Sequence, residues 1–134
     1  MSLTIRLSLI ALFALIAACT NDVIGSSHAS LASAAPDIER GWIPPILPVS
    51  AVDIRETHNI DTNVGHGTFS FGPAGAAQFK TALSPLPAGQ ALLRPNVPRQ
   101  EFERQGYAFY RYSYFDIAVD WQAGRGQFWL VYSR

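Results

Sequence analysis

The sequence predicts an α+β fold, in which a small antiparallel sheet of three to five strands is packed by one main helix. Three observations predict it. Short segments alternate between apolar and polar residues, one proline-bounded segment favours a helix, and the C-terminal segment is rich in aromatic and β-branched residues. Residues 36–134 are enough for one domain of ordinary size, so all these elements are assigned to a single globular domain.

A proline-rich segment, "GWIPPILPVSA", is predicted to open the domain in an extended conformation, because prolines exclude a regular helix and a central strand. Ser50 then predicts a single helical turn, since Asp53 follows in a capping-box pattern that has Asp in place of the usual Glu. In "VGHGTFSFG", Phe69 and Phe71 alternate with polar residues, which is typical of a half-buried strand. The two glycines before them indicate a bulge or a close approach of another backbone.

The main helix is predicted in "GPAGAAQFKTALSPL". Pro73 suits the first helical position, and Pro85 ends the helix. Phe79, Ala82 and Leu83 share one face, which would pack on the sheet.

Loop, short helix and strands are predicted for the rest of the domain. "PLPAGQALLRPNVP" is a proline-bounded loop with a short edge strand at Gln90–Leu93, and "PRQEFERQG" forms one or two helical turns that end at Gly106. "YAFYRYSYFDIAVDW" and "QFWLVYS" are strands, joined by "QAGRG" into a C-terminal aromatic β-hairpin.

Aromatic side chains of this hairpin region form a candidate binding surface. Alternation places Tyr110, Tyr112 and Tyr114 on one face of their strand, and Trp129 lies on the partner strand. Tyrosine and tryptophan stack on flat ligands, so an exposed surface of this kind would mark an interaction site. The alternative is that a loop or a helix covers these side chains.

The N-terminus is predicted to be a targeting segment. "MSLTIR" precedes a short apolar run, Leu7–Ile16, which is well below the ~20 apolar residues that span a bilayer. Residues 1–18 are therefore interpreted as a secretory signal peptide. "LIAAC" resembles the lipobox of bacterial lipoproteins, with Ile16, Ala17 and Ala18 before Cys19. This resemblance implies cleavage before Cys19, which would carry diacylglycerol and palmitate; the alternative is an ordinary signal peptide with a cysteine nearby.

A lipidated Cys19 would make the membrane itself the first partner of the mature protein. Thr20, rather than an aspartate, follows the cysteine, and resemblance to enterobacterial sorting then favours the outer membrane over the inner membrane. Residues 19–35 are rich in Ser and Ala, which predicts a flexible tether between the anchor and the domain. His28 is expected to be a solvated bystander within that tether.

Composition excludes some classes of function. The chain has ten basic and ten acidic side chains, and removal of Arg6 with the signal peptide leaves nine basic ones. A net charge near −1 gives no basic patch, so no nucleic-acid partner is predicted. Cys19 is the single cysteine, so the mature domain has no intramolecular disulfide and must rest on its core.

The stretch "DIRETHNIDTN", Asp53 to Asn63, is the candidate polar site. Its donors match no zinc or calcium pattern, so neither a metal nor a cofactor is predicted. Asp and Asn side chains commonly make turns by accepting from backbone N–H groups. Asp53, His58, Asp61 and Asn63 are therefore expected to bond mainly to backbone, with His58 beneath Trp42, although a surface that contacts a ligand or partner stays open.

A family resemblance extends this reading. The signature "P-x-S-A-x-D-I-x-x-x-H-x-x-D-x-N", a tryptophan–proline opening and a closing aromatic hairpin resemble a group of small bacterial proteins, many of them lipoproteins, with a YbbD-head-like domain. The resemblance covers Gly41–Phe71 and Ala118–Tyr132. The signature positions are occupied by Trp42, Pro48, Ser50, Ala51, Asp53, Ile54, His58, Asp61 and Asn63. The resemblance implies the fold and the lipoprotein class, and it implies no activity.

These observations predict a membrane-anchored envelope lipoprotein whose domain is a non-enzymatic module that binds an envelope protein or a cell-wall component. One alternative is a metal-dependent or hydrolytic periplasmic enzyme that uses Glu56, His58, Asp61 and His66. A further alternative is an immunity lipoprotein that neutralises a toxin.

Overall fold

The structure is a computed structural model that describes residues 22–132. Its strands are β1 (Val23–Ser30), β2 (Val52–Asn59), β3 (Val64–Ser70), β4 (Ser84–Pro85), β5 (Ala108–Tyr112), β6 (Phe115–Asp120) and β7 (Arg125–Val131). Its helices are α1 (Leu31–Glu39), α2 (Ala76–Ala82) and α3 (Arg99–Arg104). The strands form one antiparallel sheet in the order β1-β2-β3-β7-β6-β5-β4.

This order arises from two meanders joined at their last strands. β1, β2 and β3 follow one another along the chain and in space, and so do β4, β5, β6 and β7. β3 and β7 then pair over their whole lengths, from Val64 opposite Val131 to Ser70 opposite Arg125. The N-terminal and C-terminal parts of the chain therefore share one continuous sheet.

The main core lies on one face of this sheet. Side chains of β2, β3, β5, β6 and β7 meet there under α1, α2 and the proline-rich segment. Its fully buried members include Ile43, Ile54, Phe79, Phe115, Ile117, Val119, Phe128 and Leu130. Each such side chain contributes about 1.5–3 kcal/mol by leaving water.

A second core covers the other face of the C-terminal meander. Phe109 and Trp129 stack there with ring centroids 6.1 Å apart. Phe102 of α3 packs edge-on against Trp129, with centroids 5.2 Å apart. β6 is consequently buried along its whole length, because both faces of the sheet are covered at that strand.

The α+β class is confirmed, and the size of the sheet was underestimated. Within residues 22–132, seven strands form where three to five were predicted, and three short helices pack on them. The predicted tail strand is two strands, because the chain turns at Ser113, whose φ is 52°. The loop between β6 and β7 is confirmed as a hairpin connection.

Two of the three helices in residues 22–132, α2 and α3, agree in place with the sequence, whereas α1 was not predicted. α2 lies inside the predicted helix but begins at Ala76, after Gly75 with φ 78°, so Pro73 precedes it rather than occupying its first position. α3 is confirmed before Gly106. The edge strand predicted at Gln90–Leu93 is wrong, because β4 at Ser84–Pro85 pairs with β5 instead.

The helical turn predicted at Ser50 is also wrong, since β2 begins two residues later. The Ser50 hydroxyl donates to Gly72 O at 2.9 Å and accepts from Gly72 N at 3.1 Å, so it joins two loops instead of capping a helix. Asp53 has φ 51° at a bulge in β2, where the register against β3 shifts. The predicted close approach of another backbone is confirmed at Gly67, where an added Cβ would lie 2.3 Å from Arg55 O.

The tether predicted over residues 19–35 is contradicted from residue 23 onward. β1 pairs with β2 from Val23 opposite Asn59 to Ser30 opposite Val52, and α1 follows at once. Ser30 caps α1 by accepting from Ser33 N at 3.4 Å. A Ser- and Ala-rich segment has little to bury, but β1 needs only backbone groups to add a strand. The predicted signal peptide and Cys19 lie outside the described residues.

Candidate functional site

Trp42 and His58 form the centre of the candidate site. Their rings stack with centroids 3.8 Å apart and planes 9° apart. His58 is on the inward face of β2, directly opposite Gly65 of β3, and an added Cβ at Gly65 would lie 3.1 Å from His58 Cβ. The glycine therefore leaves the room that the imidazole and the indole occupy.

Glu56 is the hydrogen-bond partner of His58. Glu56 Oε1 contacts His58 Nδ1, and the two side chains are 0% and 6% exposed. They are neighbours on the same face of β2, two residues apart, as alternation in a strand requires. The expectation that His58 lies under Trp42 is confirmed, whereas its expected bond to backbone is wrong, because a buried carboxyl accepts instead.

β1 and α1 extend this pair into a buried polar network of five side chains, defined as Ser26, His28, Asp37, Glu56 and His58. The Ser26 hydroxyl lies 2.8 Å from Asp37 Oδ2 and 3.0 Å from Glu56 Oε2. His28 Nε2 lies 2.7 Å from the same Asp37 oxygen. His28, predicted to be solvated, is thus a structural partner of α1.

The two carboxyls of the network have opposite electrostatic tendencies. Burial raises the pKa of Glu56, although hydrogen bonds from His58 and Ser26 oppose the shift. Burial opposes ionisation of Asp37 as well, but there the hydrogen bonds from His28 and Ser26 outweigh it and the pKa of Asp37 is lowered. The shifts therefore favour the charged form at Asp37 and the neutral form at Glu56.

The hydrogen atoms of the network agree with this assignment. The hydroxyl of Ser26 has one hydrogen and contacts two carboxyls, so it donates to one and accepts from the other. When Glu56 carries a proton on Oε2, it donates to Ser26, and Ser26 donates to Asp37 Oδ2. His58 Nδ1–H then donates to Glu56 Oε1, so that a chain of hydrogen bonds runs in one direction from β2 to α1.

This geometry differs from that of a nucleophilic triad. A triad places histidine between serine and aspartate, so that the imidazole takes the serine proton. Here Asp37 lies between Ser26 and His28, and both contact its Oδ2 atom. The arrangement can fix α1 against the sheet, and the Ser26 hydroxyl contacts two carboxyls in it rather than an imidazole.

An aromatic cleft of about 390 Å³ opens beside this network. Its lining combines three aromatic side chains with charged and amide groups: Glu39, Arg40, Gly41, Trp42, Asn63, Tyr114, Leu130 and Tyr132. The Tyr114 hydroxyl donates to Gly41 O at 3.2 Å, and the Tyr114 and Tyr132 rings lie 5.0 Å apart. Trp42 thus presents one face to His58 and takes part in the lining of the cleft.

Arg40 connects the cleft to the network. It lines the cleft, and its Nη1 atom lies 3.5 Å from Asp37 Oδ1. Burial raises the pKa of Tyr114, and the neighbouring Tyr132 adds to the shift. The cleft therefore holds the neutral phenol of Tyr114 as a hydrogen-bonding group beside one cationic and one anionic side chain.

The other residues of the candidate polar site lie apart from this pair. Asp53 is exposed and faces only Arg55, with an Oδ1–Nη2 distance of 3.6 Å. Asp61 is exposed in the turn between β2 and β3, where Asn59 Oδ1 accepts from the backbone of residues 61 and 62. The turn is held by a side chain as expected, but the acceptor is Asn59 rather than Asp61 or Asn63. Asn63 has φ 54° and lines the cleft.

The four residues of the enzymatic alternative do not converge. Glu56 and His58 are buried on one face, whereas His66 is exposed and paired with Thr57 on the other face of the sheet. Burial lowers the pKa of His66, and the charge of Arg94 adds to the shift. Within residues 22–132, no group of three or more His, Cys, Asp or Glu side chains is arranged to hold a metal ion.

The predicted aromatic surface is not one surface. Tyr110 and Trp129 are each 8% exposed and belong to the cores on opposite faces of the sheet. Tyr112 is half-buried against the main core, and Tyr114 lines the cleft. The alternative prediction, that a loop or a helix covers these rings, is confirmed for Tyr110 and Trp129.

Three network residues, Ser26, His28 and Asp37, were missed by the sequence analysis. They lie in or just after the segment predicted as a tether, far along the chain from Glu56 and His58. Ser26 and His28 are two residues apart, as side chains on one face of a strand are. This spacing was the one sequence feature that could have indicated a strand with a polar inner face.

The architecture of residues 22–70 can be compared with known families. These residues match the family model of the YbbD head domain. The matched stretch contains β1, α1, Trp42, β2 and β3, so it includes the whole polar network. The resemblance predicted from the sequence is confirmed there, and its second part, Ala118–Tyr132, lies outside the matched residues and stays a prediction.

No curated protein and no solved structure matches the chain. No helix within the described residues is long and apolar enough to cross a membrane.

Proposed function

We propose that this protein is a bacterial envelope lipoprotein, anchored through Cys19 and sorted to the outer membrane, whose domain is a non-enzymatic binding module. The aromatic cleft is the observation that carries the binding role. Its volume falls in the range of about 300–1,000 Å³ that is usual for small-ligand sites. The buried polar network supports the non-enzymatic part, because it lacks the order of groups that activates a nucleophile.

The lining of the cleft favours a saccharide of the cell envelope, such as a cell-wall glycan, as its ligand. Trp42, Tyr114 and Tyr132 offer flat apolar faces on which a sugar ring packs. Arg40 and Asn63 add hydrogen-bonding groups at the same opening. Alternating apolar faces and hydroxyls are the chemistry of a pyranose chain, and this lining offers partners for both.

Titration of the purified full-length protein with soluble cell-wall glycan fragments tests this proposal. Tyr132→Ala removes a ring that is 45% exposed at the cleft, and Val52→Ala is the matched control, because Val52 is 46% exposed at the far end of β2. We expect Tyr132→Ala to raise the Kd about tenfold, which corresponds to about 1.4 kcal/mol, and Val52→Ala to leave it unchanged.

Failure to saturate with any glycan fragment, or equal affinities for both variants and the wild type, would contradict the binding role.

The anchoring role is tested by fatty-acid labelling. A Cys19→Ala variant should lose the label and leave the membrane fraction. If it stays membrane-bound without the label, the anchor is not at Cys19.

A further inference from the structure

The exposed apolar side chains of the described domain are concentrated at one end of the sheet. Among residues 22–132, six large hydrophobic side chains are exposed: Val23, Ile24, Val49, Val52, Ile60 and Tyr132. Four of these lie at the end where β1 begins and β7 finishes. The pairs Val23–Asn59 and Ile24–His58 place β1 there, and the bond from Ile60 N to Asp22 O, 3.0 Å long, adds the β2–β3 turn.

Tyr132 belongs to the same end, because its N–H donates to Asn63 O at 3.0 Å. Val52 lies at the opposite end of β2, seven residues from Asn59, which is about 23 Å along a strand. We name the first group, Val23, Ile24, Ile60 and Tyr132, the apolar end.

The anchor point is very near this apolar end. Three residues separate Cys19 from Val23, and four extended residue steps span at most about 13–14 Å. The polar headgroup layer on one side of a bilayer is about 5–8 Å thick. A diacylglyceryl group on Cys19 would therefore bring the start of β1 within reach of the headgroups.

We propose that the apolar end of the sheet rests on the surface of the bilayer that holds the anchor of the same chain. Exposed Val23, Ile24 and Ile60 then bury apolar area at the boundary of headgroups and acyl chains. Tyr132 lies at the edge of this end and still lines the cleft. This inference rests on the proposed lipidation of Cys19.

The charges at this end are compatible with a lipid surface. Asp22 and Asp61 are the acidic side chains there, and the hydrogen bond with Asp61 and its charge raise the pKa of Asp22. Because the pKa of Asp22 is raised, this end loses negative charge at a higher pH than a free aspartate would as the pH falls.

Site-directed fluorescence with the full-length lipidated protein tests the contact. Lipid occupies the thiol of Cys19, so a single introduced cysteine, Ile24→Cys or Val52→Cys, takes the fluorophore alone. The two positions are each 46% exposed and lie at opposite ends of the sheet. Ile60→Cys gives a second reporter at the apolar end. The vesicles contain phosphatidylethanolamine and phosphatidylglycerol, with a quencher on a fraction of the headgroups.

We expect at least threefold stronger quenching at positions 24 and 60 than at position 52. Equal quenching at all three positions, in protein whose Cys19 carries lipid by mass spectrometry, would overturn the membrane contact and leave the anchor intact. A free thiol at Cys19 in membrane-derived protein would instead overturn the anchor, and the contact with it. Thermal melts within about 2 °C of the wild type would establish that the labelled variants are folded.

Discussion

The two halves of the sheet hold their covering segments by different interactions. In the half that matches the YbbD head domain, α1 meets the sheet through Ser26, His28 and Asp37, and a stacked Trp42 closes over His58. In the half after residue 70, aromatic and branched side chains fill both faces of β6 and β7. The contact of α1 with the sheet consists of directional hydrogen bonds that involve titratable groups. The packing on β6 and β7 depends on how well the side-chain volumes fill the core.

This difference separates stability from function in one sheet. The half after residue 70, the apolar half, holds most of the buried hydrophobic side chains of the described residues, and such a core tolerates changes that conserve volume. The polar half fixes the position of α1, whose C-terminal end supplies Glu39 and Arg40 to the region of the cleft. Substitutions in the two halves should therefore differ in magnitude, in pH dependence and in their effect on the cleft.

The largest effect is expected in the apolar half. Phe128 is 0% exposed and packs against Phe69 and Phe115, with ring centroids 6.4 and 6.1 Å away. Phe128→Ala should lower the free energy of unfolding by about 3–5 kcal/mol, because it leaves a cavity between the two meanders. Equilibrium unfolding in urea measures this change in the free energy of unfolding. A loss below about 1 kcal/mol would mean that the apolar half does not carry the fold.

A smaller and more local effect is expected for the polar half. Asp37→Asn removes the charge that accepts from Ser26 and His28, and the amide can accept through one oxygen only. We expect a loss of about 1–3 kcal/mol. Hydrogen exchange should increase in α1 and β1 while β6 and β7 stay protected. Uniform deprotection of all strands would show that the two halves unfold as one unit and would contradict the comparison.

The smallest effect is expected for Glu56→Gln, and it appears in the pH dependence. The folded pKa of Glu56 is raised, so its contribution is present below its ordinary pKa and is lost as pH rises through the folded value. Glutamine imitates the neutral acid and should cost less than about 1.5 kcal/mol at pH 5. The wild type should lose more stability than Glu56→Gln between pH 5 and pH 8 in thermal melts. Parallel curves would mean that Glu56 is ionised in the fold.

Several elements could be predicted from the sequence because local chemistry determines them. The loop between β6 and β7 contains two glycines between two aromatic strands. α2 lies between Pro73 and Pro85, and α3 lies between Pro98 and Gly106. Phe69 and Phe71 alternate with polar residues in and just after β3. These signals act within a few residues, and the fold retains them.

The polar half was hidden because its information is long-range. β2 turns Ile54, Glu56 and His58 inward, so its buried face is polar at two of three positions and gives no apolar alternation. The bulge at Asp53 also interrupts the alternation of inward and outward side chains near the start of β2. β1 has no large apolar side chain after Ile24, and its place in the sheet follows from pairing with residues about 30 positions away.

The start of β1 at Val23, so soon after Cys19, sets how far the domain could search for a partner. A long tether would let it sample a hemisphere and reach across the periplasm, and its effective concentration near any one target would fall as the tether lengthens. Three residues allow almost no such excursion. With the proposed anchor in place, the search becomes two-dimensional. A ligand for the cleft would then be met by lateral diffusion in the plane of the membrane, among molecules that are themselves carried on or pressed against that surface.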